Sequence, residues 1–391
     1  WLFPFLGLAG LGALAAGVLN VLGRFTLPAF APALFNAAMI AAPFTLLPVS
    51  ARLGLDPIAA LALVALLGGV LQLLVQLGPL RREGMLPLPV LRLGDPEVRR
   101  ALGLMGPLVL GLGVYQLNML LSRLFASFLP PGSPSYLSYG MRVIEVPQGM
   151  FALALASAAL PALVKLRSEG KRTELLALFQ DSLRLTLLVG LPASVALSVL
   201  AEPTAAVLLG RGRFGPEQVI ETGRSLSVQA LGIWAVAAVR AVVPVYAAHE
   251  DTRTPVRASF ANLLVFLSVS ALLMRQLDHV ALALANSLAA ALQVGLLLFW
   301  LRRHTGPLGL RALLASSLRL AAACAVMGVV LAVLASRYDW AHSRDELTRA
   351  LWYLALCVAG LVSFVVAARS FGVRELTQLE RAVRRRLGRA T

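Results

Sequence analysis

The chain has 391 residues, of which 59% are hydrophobic and 14% charged, with a formal net charge of +16. With a mean hydropathy of +0.80, no water-soluble globular protein of this size could hide so much apolar surface, so composition excludes that class and leaves a multi-pass membrane protein. Nucleic-acid binding is excluded by layout, because Lys and Arg punctuate apolar runs of roughly 20 residues instead of gathering on one solvated face.

In chain order, eleven apolar runs are long enough to cross about 30 Å of hydrocarbon at 1.5 Å per residue. They cover 1 to 22, 29 to 50, 57 to 77, 101 to 129, 135 to 163, 183 to 201, 222 to 247, 256 to 275, 279 to 301, 312 to 336 and 347 to 368. The expected fold is therefore all-α, a polytopic membrane helix bundle. The first run has no basic n-region and does not read as a signal peptide. Placing the 35 Lys and Arg on alternating sides of this map puts 24 on one side and nine on the other, with Arg142 and Arg240 inside spans. By the positive-inside rule the first side is cytoplasmic, and so is the C-terminus.

Three polar stretches interrupt the apolar pattern. Residues 81 to 100, RREGMLPLPVLRLGDPEVRR, read as an interfacial linker between two bundles. Residues 166 to 184 alternate charge with leucine and read as a short amphipathic helix on the cytoplasmic face. The tail sets Leu376, Leu379, Val383 and Leu387 at helical spacing opposite arginines, which suits a surface helix on anionic lipid. For all three, solvated topology signals are an equal alternative. The segments GRFTLPAFAPALFN (23 to 36) and DTRTPVRASFAN (251 to 262) both place an Arg, a Pro that opens a span, and an Asn seven or eight residues beyond it. Read as a repeat, they predict two pseudo-twofold lobes, with three helices missing upstream of the first. Residues 1–78 would then be the rest of the N-terminal lobe, 79–100 the linker, 101–302 the C-terminal lobe, and 303–391 a final helix pair with a basic tail.

The chemistry sits in YLSYGMRVIEVPQGMF, residues 136 to 151. An Arg near the middle of a bilayer costs at least about 2.5 to 3.5 kcal/mol, so Arg142 must face protein or water. Glu145, one turn on, is a partner on the same side of the helix. Two readings are open: a self-neutralising structural pair, or a guanidinium in a water-filled cavity that binds an anion such as phosphate. Pro147 and Gly149 mark a bending point, because proline removes one backbone hydrogen bond and glycine lets another helix approach. Arg240 either snorkels to headgroups or lines the cavity. Gln116 and Asn118 contact substrate or make interhelical hydrogen bonds. Cys324 and Cys357 suggest neither a disulfide nor a metal cage, and the four histidines have no metal-ligand spacing. No Walker-type phosphate loop is present, so no cofactor is expected, and coupling to membrane potential or an ion gradient remains as the energy source.

LFPFLGLAGLGALAAGVLNVLGRFTLPAFAPALFNAAMI, GVYQLNMLLSRLFASFLPPGSPSYLSYGMRVIEVPQGMFALALASAALPAL, LLGRGRF and YAAHEDTRTPV resemble successive signatures of the MurJ/MviN family of lipid II flippases. These belong to the multidrug/oligosaccharidyl-lipid/polysaccharide exporter superfamily. The resemblance implies fourteen transmembrane helices, of which these eleven would be the fourth to fourteenth, and alternating access between two bundles. It implies export of undecaprenyl-diphosphate-linked peptidoglycan precursor to the periplasmic leaflet of the inner membrane, and no enzymatic reaction. Lipid II and membrane lipids would be partners, with other cell-wall synthesis proteins as further candidates.

By the same resemblance, Arg142 and Glu145 match a cavity-lining pair that recognises diphosphate, and Arg240 matches a basic position of a later helix. Arg24, Asp251 and Arg253 fall in conformational loops, and the last two spans match a groove for the lipid tail. The chain departs from the family at Met141 and Ser122, where many members carry Asp. Alternatives are a drug or polysaccharide exporter of the same superfamily, or a non-transporting scaffold or membrane enzyme of wall synthesis.

Overall fold

A computed structural model describes residues 2–85, 95–306, 308–343, 345–373 and 375–376, and it contains no strand among them. The chain divides into two compact units, Trp1–Leu102 and Gly103–Thr391.

In the first unit, α1 (Phe3–Val21) and α2 (Thr26–Ala41) both pack on α4 (Pro57–Arg82). The short α3 (Leu46–Ser50) lies between two 3-10 turns, Ala42–Phe44 and Ala51–Leu53. The close approach is made by a glycine pair. A Cβ on Gly68 would stand 3.2 Å from Phe35 Cα, and one on Gly69 would stand 3.0 Å from the Phe5 ring. Phe5 and Phe35 in turn meet with ring centroids 5.1 Å apart. Lipid offers no hydrophobic drive between helices, so such small-residue contacts are what bring backbones together. Helix α4 starts where Asp56 accepts from Ile58 N at 3.1 Å, with Pro57 in the first turn, where a missing N–H costs nothing.

The other helices are α5 (Pro96–Ser127), which crosses the unit boundary, and then α6 (Ser133–Ser168), α7 (Arg172–Val199), α8 (Ala201–Leu209), α9 (Pro216–Ala230), α10 (Ile233–Ala248), α11 (Arg253–Thr305), α12 (Leu310–Ala335) and α13 (Glu346–Ser370). Helix α6 packs against α7, α9 and α10, and α12 packs between α7 and α13. One apolar cluster joins Leu188 and Leu200 to Cys324, Met327, Leu331, Leu356 and Phe364, tying the last two helices to this unit. A second surrounds Phe179, Tyr246 and Leu297, where the Tyr246 hydroxyl donates to Leu297 O at 2.6 Å. Helix α13 is capped by Asp345, which accepts from Leu347 N and from the Thr348 hydroxyl at 2.5 Å. The Thr348 hydroxyl and then the Thr348 backbone N–H hold the Asp345 carboxyl below its ordinary value.

Nine of the eleven expected spans lie inside one helix, or one arm of α11, to within about two residues, whereas 29 to 50 is divided among α2, a 3-10 turn and α3, and 222 to 247 between α9 and α10. Among the described residues eight stretches are long and apolar enough to cross a membrane. One of them, Arg253–Arg303, holds two expected spans. At 53 residues α11 would be about 80 Å long, too long for one crossing. The helix breaks at Asp278, where φ is 47° and ψ −132°. The remaining two expected spans are α5 and α6, whose 32 and 36 residues reach about 48 and 54 Å.

Two expectations are revised. The charged stretch 166 to 184 is not a separate surface helix: α6 runs to Ser168 and α7 runs unbroken from Arg172 to Val199. Its alternation reflects one buried and one solvated side of a membrane helix that extends beyond the apolar layer, with Leu175, Phe179 and Leu183 buried. The short α8 was not anticipated, because its nine residues fall well short of the length of a span. Most of the 81 to 100 linker and the tail beyond Leu376 lie outside the described residues. Leu376 itself is buried in the protein core.

Candidate substrate-binding site on α6

The site is built on one helix whose two sides differ. At 100° per residue, Leu137, Gly140, Ile144 and Gln148 form one stripe of α6, Arg142 and Gly149 lie roughly opposite its centre, and Glu145 lies at its flank between the two. The first stripe is held by neighbours. Ile144 is buried against Ala201, Leu226, Ala230 and Ile233. Gly140 is buried, and a Cβ there would stand 3.1 Å from Gln229 Oε1. Away from it the charged pair is open: the side chain of Arg142 is 81% exposed and that of Glu145 56%.

Arg142 Nη1 donates to Glu145 Oε2 at 3.4 Å. This is a long contact, and an exposed ion pair of this kind contributes about 0 to 1 kcal/mol. That does not offset the cost of about 2.5 to 3.5 kcal/mol for carrying an Arg into a span. Most of the guanidinium's five donors are left for another acceptor, and a fork of parallel N–H groups fits phosphate oxygens.

Helix α6 is helical through Pro147 and Gly149. A Cβ on Gly149 would meet nothing within 4 Å, so close helix approach is not its role in this conformation. Arg240 lies on α10 and is partly buried. Its Nη1 donates to Gln148 O at 3.2 Å, across to α6. Asn118 is part of an amide chain. Its Nδ2 donates to Asn262 Oδ1 at 3.1 Å, Asn262 Nδ2 to Gln293 Oε1 at 3.0 Å, and Gln293 Nε2 to Ser259 Oγ at 3.2 Å. The chain joins α5 to both arms of α11. Gln116, two residues earlier, is exposed.

The loop residues have definite local partners. Arg24 Nη2 meets Glu83 Oε1 at 2.5 Å, joining the α1–α2 turn to the end of α4. Asp251 opens α11 by accepting from Arg253 N and Thr254 N, each at 3.0 Å, and from the Thr254 hydroxyl at 2.6 Å. Arg253 is exposed. The structure thus gathers Arg142, Glu145 and Arg240 around one segment of α6, while Asn118 and the loop residues belong to other contacts.

Gln229 escaped sequence reasoning. Its Nε2 donates to Leu137 O at 3.3 Å and to Ser225 Oγ at 2.9 Å. The only signal was an amide inside an apolar run. Arg349 escaped as well: 5% exposed, it donates to Gly210 O at 2.9 Å and so ties the start of α13 to the end of α8.

An all-α bundle with eight stretches long and apolar enough to cross a membrane among the described residues defines a multi-pass membrane protein. The family model described as lipid II flippase MurJ matches residues 1–348. The lipid II flippase MurJ of Burkholderia cenocepacia is 33% identical over 376 residues, covering 95% of this chain and 71% of the relative. A "Probable lipid II flippase MurJ" of Vibrio cholerae is 33% identical over 373 residues, covering 95% and 70%. Among solved structures, a lipid II flippase MurJ in an inward closed conformation superposes with a TM-score of 0.76 at 21% identity, covering 96% of this chain and 73% of that one. The chain belongs to the lipid II flippase MurJ family.

Proposed function

We propose that this protein is a lipid II flippase that carries undecaprenyl-diphosphate-linked peptidoglycan precursor from the cytoplasmic to the periplasmic leaflet of the inner membrane. The observation that carries the site assignment is the open guanidinium of Arg142 in a span, paired only loosely with Glu145. In this reading Arg142 grips the diphosphate. Glu145 competes with it, holding the guanidinium when the site is empty and yielding it when phosphate arrives. The chemistry is recognition and release, and no covalent bond changes.

Two bundles alternate access to opposite faces, with the Pro147 and Gly149 segment as the bending point, because proline withholds one rung of the helical ladder and glycine leaves room to flex. The energy comes from membrane potential or an ion gradient, since moving one charge across 100 mV yields about 2.3 kcal/mol. The basic C-terminal end lies on the cytoplasmic side, following the excess of Lys and Arg there.

The test uses the full-length protein in cells depleted of their own lipid II flippase. The expected result is restored growth together with lipid II reaching the outer leaflet. Restored growth without lipid II translocation, or normal membrane abundance with neither, would overturn the reading.

A further inference from the structure

We propose that Gln229 and Arg240 are positioning residues that fix the rotation of α6 and so aim Arg142. The inference rests on the reading of Arg142 as the anion-binding group. The two side chains grip the backbone of α6 on either side of the Arg142–Glu145 segment: Gln229 at Leu137 O and Arg240 at Gln148 O, at 3.3 and 3.2 Å. The two carbonyls are eleven residues apart, about 16 Å along the helix. Both belong to the stripe opposite Arg142. A helix held at two points on one side can neither roll nor tilt without breaking a bond, so the opposite side keeps its direction.

Three features make the grip specific. A carbonyl has two lone pairs, so each acceptor keeps its place in the helical ladder while it takes the outside donor. Gly140 gives the Gln229 carboxamide its seat, and Ser225 Oγ fixes the amide from behind at 2.9 Å. Pro147 has no N–H to give to the carbonyl one turn back, so the ladder is weakest between the two grips. Arg240 restrains α6 immediately past that gap. A charged residue is costly in a span and persists where it has work. Here it is spent on the backbone of the helix that carries the other in-span arginine.

The experiment reads the direction of position 142 without relying on transport. In the full-length protein, Cys324 and Cys357 are replaced by alanine and Arg142→Cys serves as reporter. Sonicated membranes, open to reagent from both faces, are treated with a charged methanethiosulfonate, and the modification rate is compared across backgrounds. Arg240→Leu and Gln229→Leu should each change the rate at 142 about fivefold or more, the shift expected from losing one net hydrogen bond. Arg240→Lys, which still offers a donor, should stay within about twofold of the parent. A second reporter, Glu169→Cys in the exposed turn after α6, should keep its rate throughout. Gln229→Leu leaves every charge in place and decides the matter if Arg240→Leu fails to accumulate.

Equal rates at 142 in both leucine backgrounds would overturn the positioning role. If lipid II transport then fell in Arg240→Leu alone, Arg240 would be a substrate contact. A parent reporter that is never modified would remove Arg142 from water, and with it both the anion-site reading and this inference.

Discussion

Arg142→Ala is expected to cut lipid II delivery to the outer leaflet about 100-fold at matched membrane abundance, with Arg142→Lys retaining roughly a tenth of the parent rate. Each charge-assisted hydrogen bond to a phosphate oxygen contributes about 1.5 to 3 kcal/mol, and a guanidinium fork offers two in parallel. Alanine removes both. Lysine restores a point charge without the fork, so recovery is partial. The fold should survive either change, because the side chain is 81% exposed and its one protein partner among the described residues is the long contact to Glu145. Lipid II at the outer leaflet, normalised to the amount of protein in the membrane, is the measurement. Equal delivery by all three proteins would make Arg142 and Glu145 a structural pair.

Gly223→Ala is expected to be strongly destabilising for a change of a single methyl. A Cβ at Gly223 would stand 2.9 Å from Glu202 Cα, 3.1 Å from Glu202 Cβ and 3.2 Å from Glu202 N. Two of these three are backbone atoms, so no side chain can swing aside, and α8 and α9 must separate. Overpacking of this kind costs about 1 to 3 kcal/mol. Helix α9 also carries Gln229, so displacement at Gly223 reaches the segment that seats α6. Thermal unfolding in detergent should show a midpoint lowered by about 2 to 5 °C. Gly149→Ala, where an added Cβ meets nothing within 4 Å, is the matched control and should leave the midpoint unchanged.

What the sequence made legible follows from the length scale of each signal. Apolar runs of membrane thickness located every long helix, because the bilayer demands that backbone polar groups pair within the segment. The charge gap at residues 276 to 278 separated the two arms of α11, where Asp278 takes its positive φ. Helix α8 is too short to register by this criterion. The stretch 166 to 184 was misplaced because amphipathic periodicity looks the same on a surface helix and on the extension of a spanning one.

At the site, Arg142 and Glu145 were legible from cost alone: charge in an apolar run needs a reason. Their neighbours were not. Asn118 meets Asn262 across 144 positions, a pairing that no local pattern encodes. Gln229 and Arg240 bind backbone carbonyls, which every residue possesses, so the identity of Leu137 or Gln148 gives no hint of the contact. The basic character of Arg240 was visible, but its acceptor was not.

The most direct test of the central claim places purified full-length protein in liposomes containing lipid II, with no other protein present, and follows the fraction of lipid II accessible at each leaflet under an imposed membrane potential. Redistribution that requires the protein, and that Arg142→Ala abolishes, is the predicted result. Redistribution that is indifferent to Arg142, or none at all from folded protein, would contradict it.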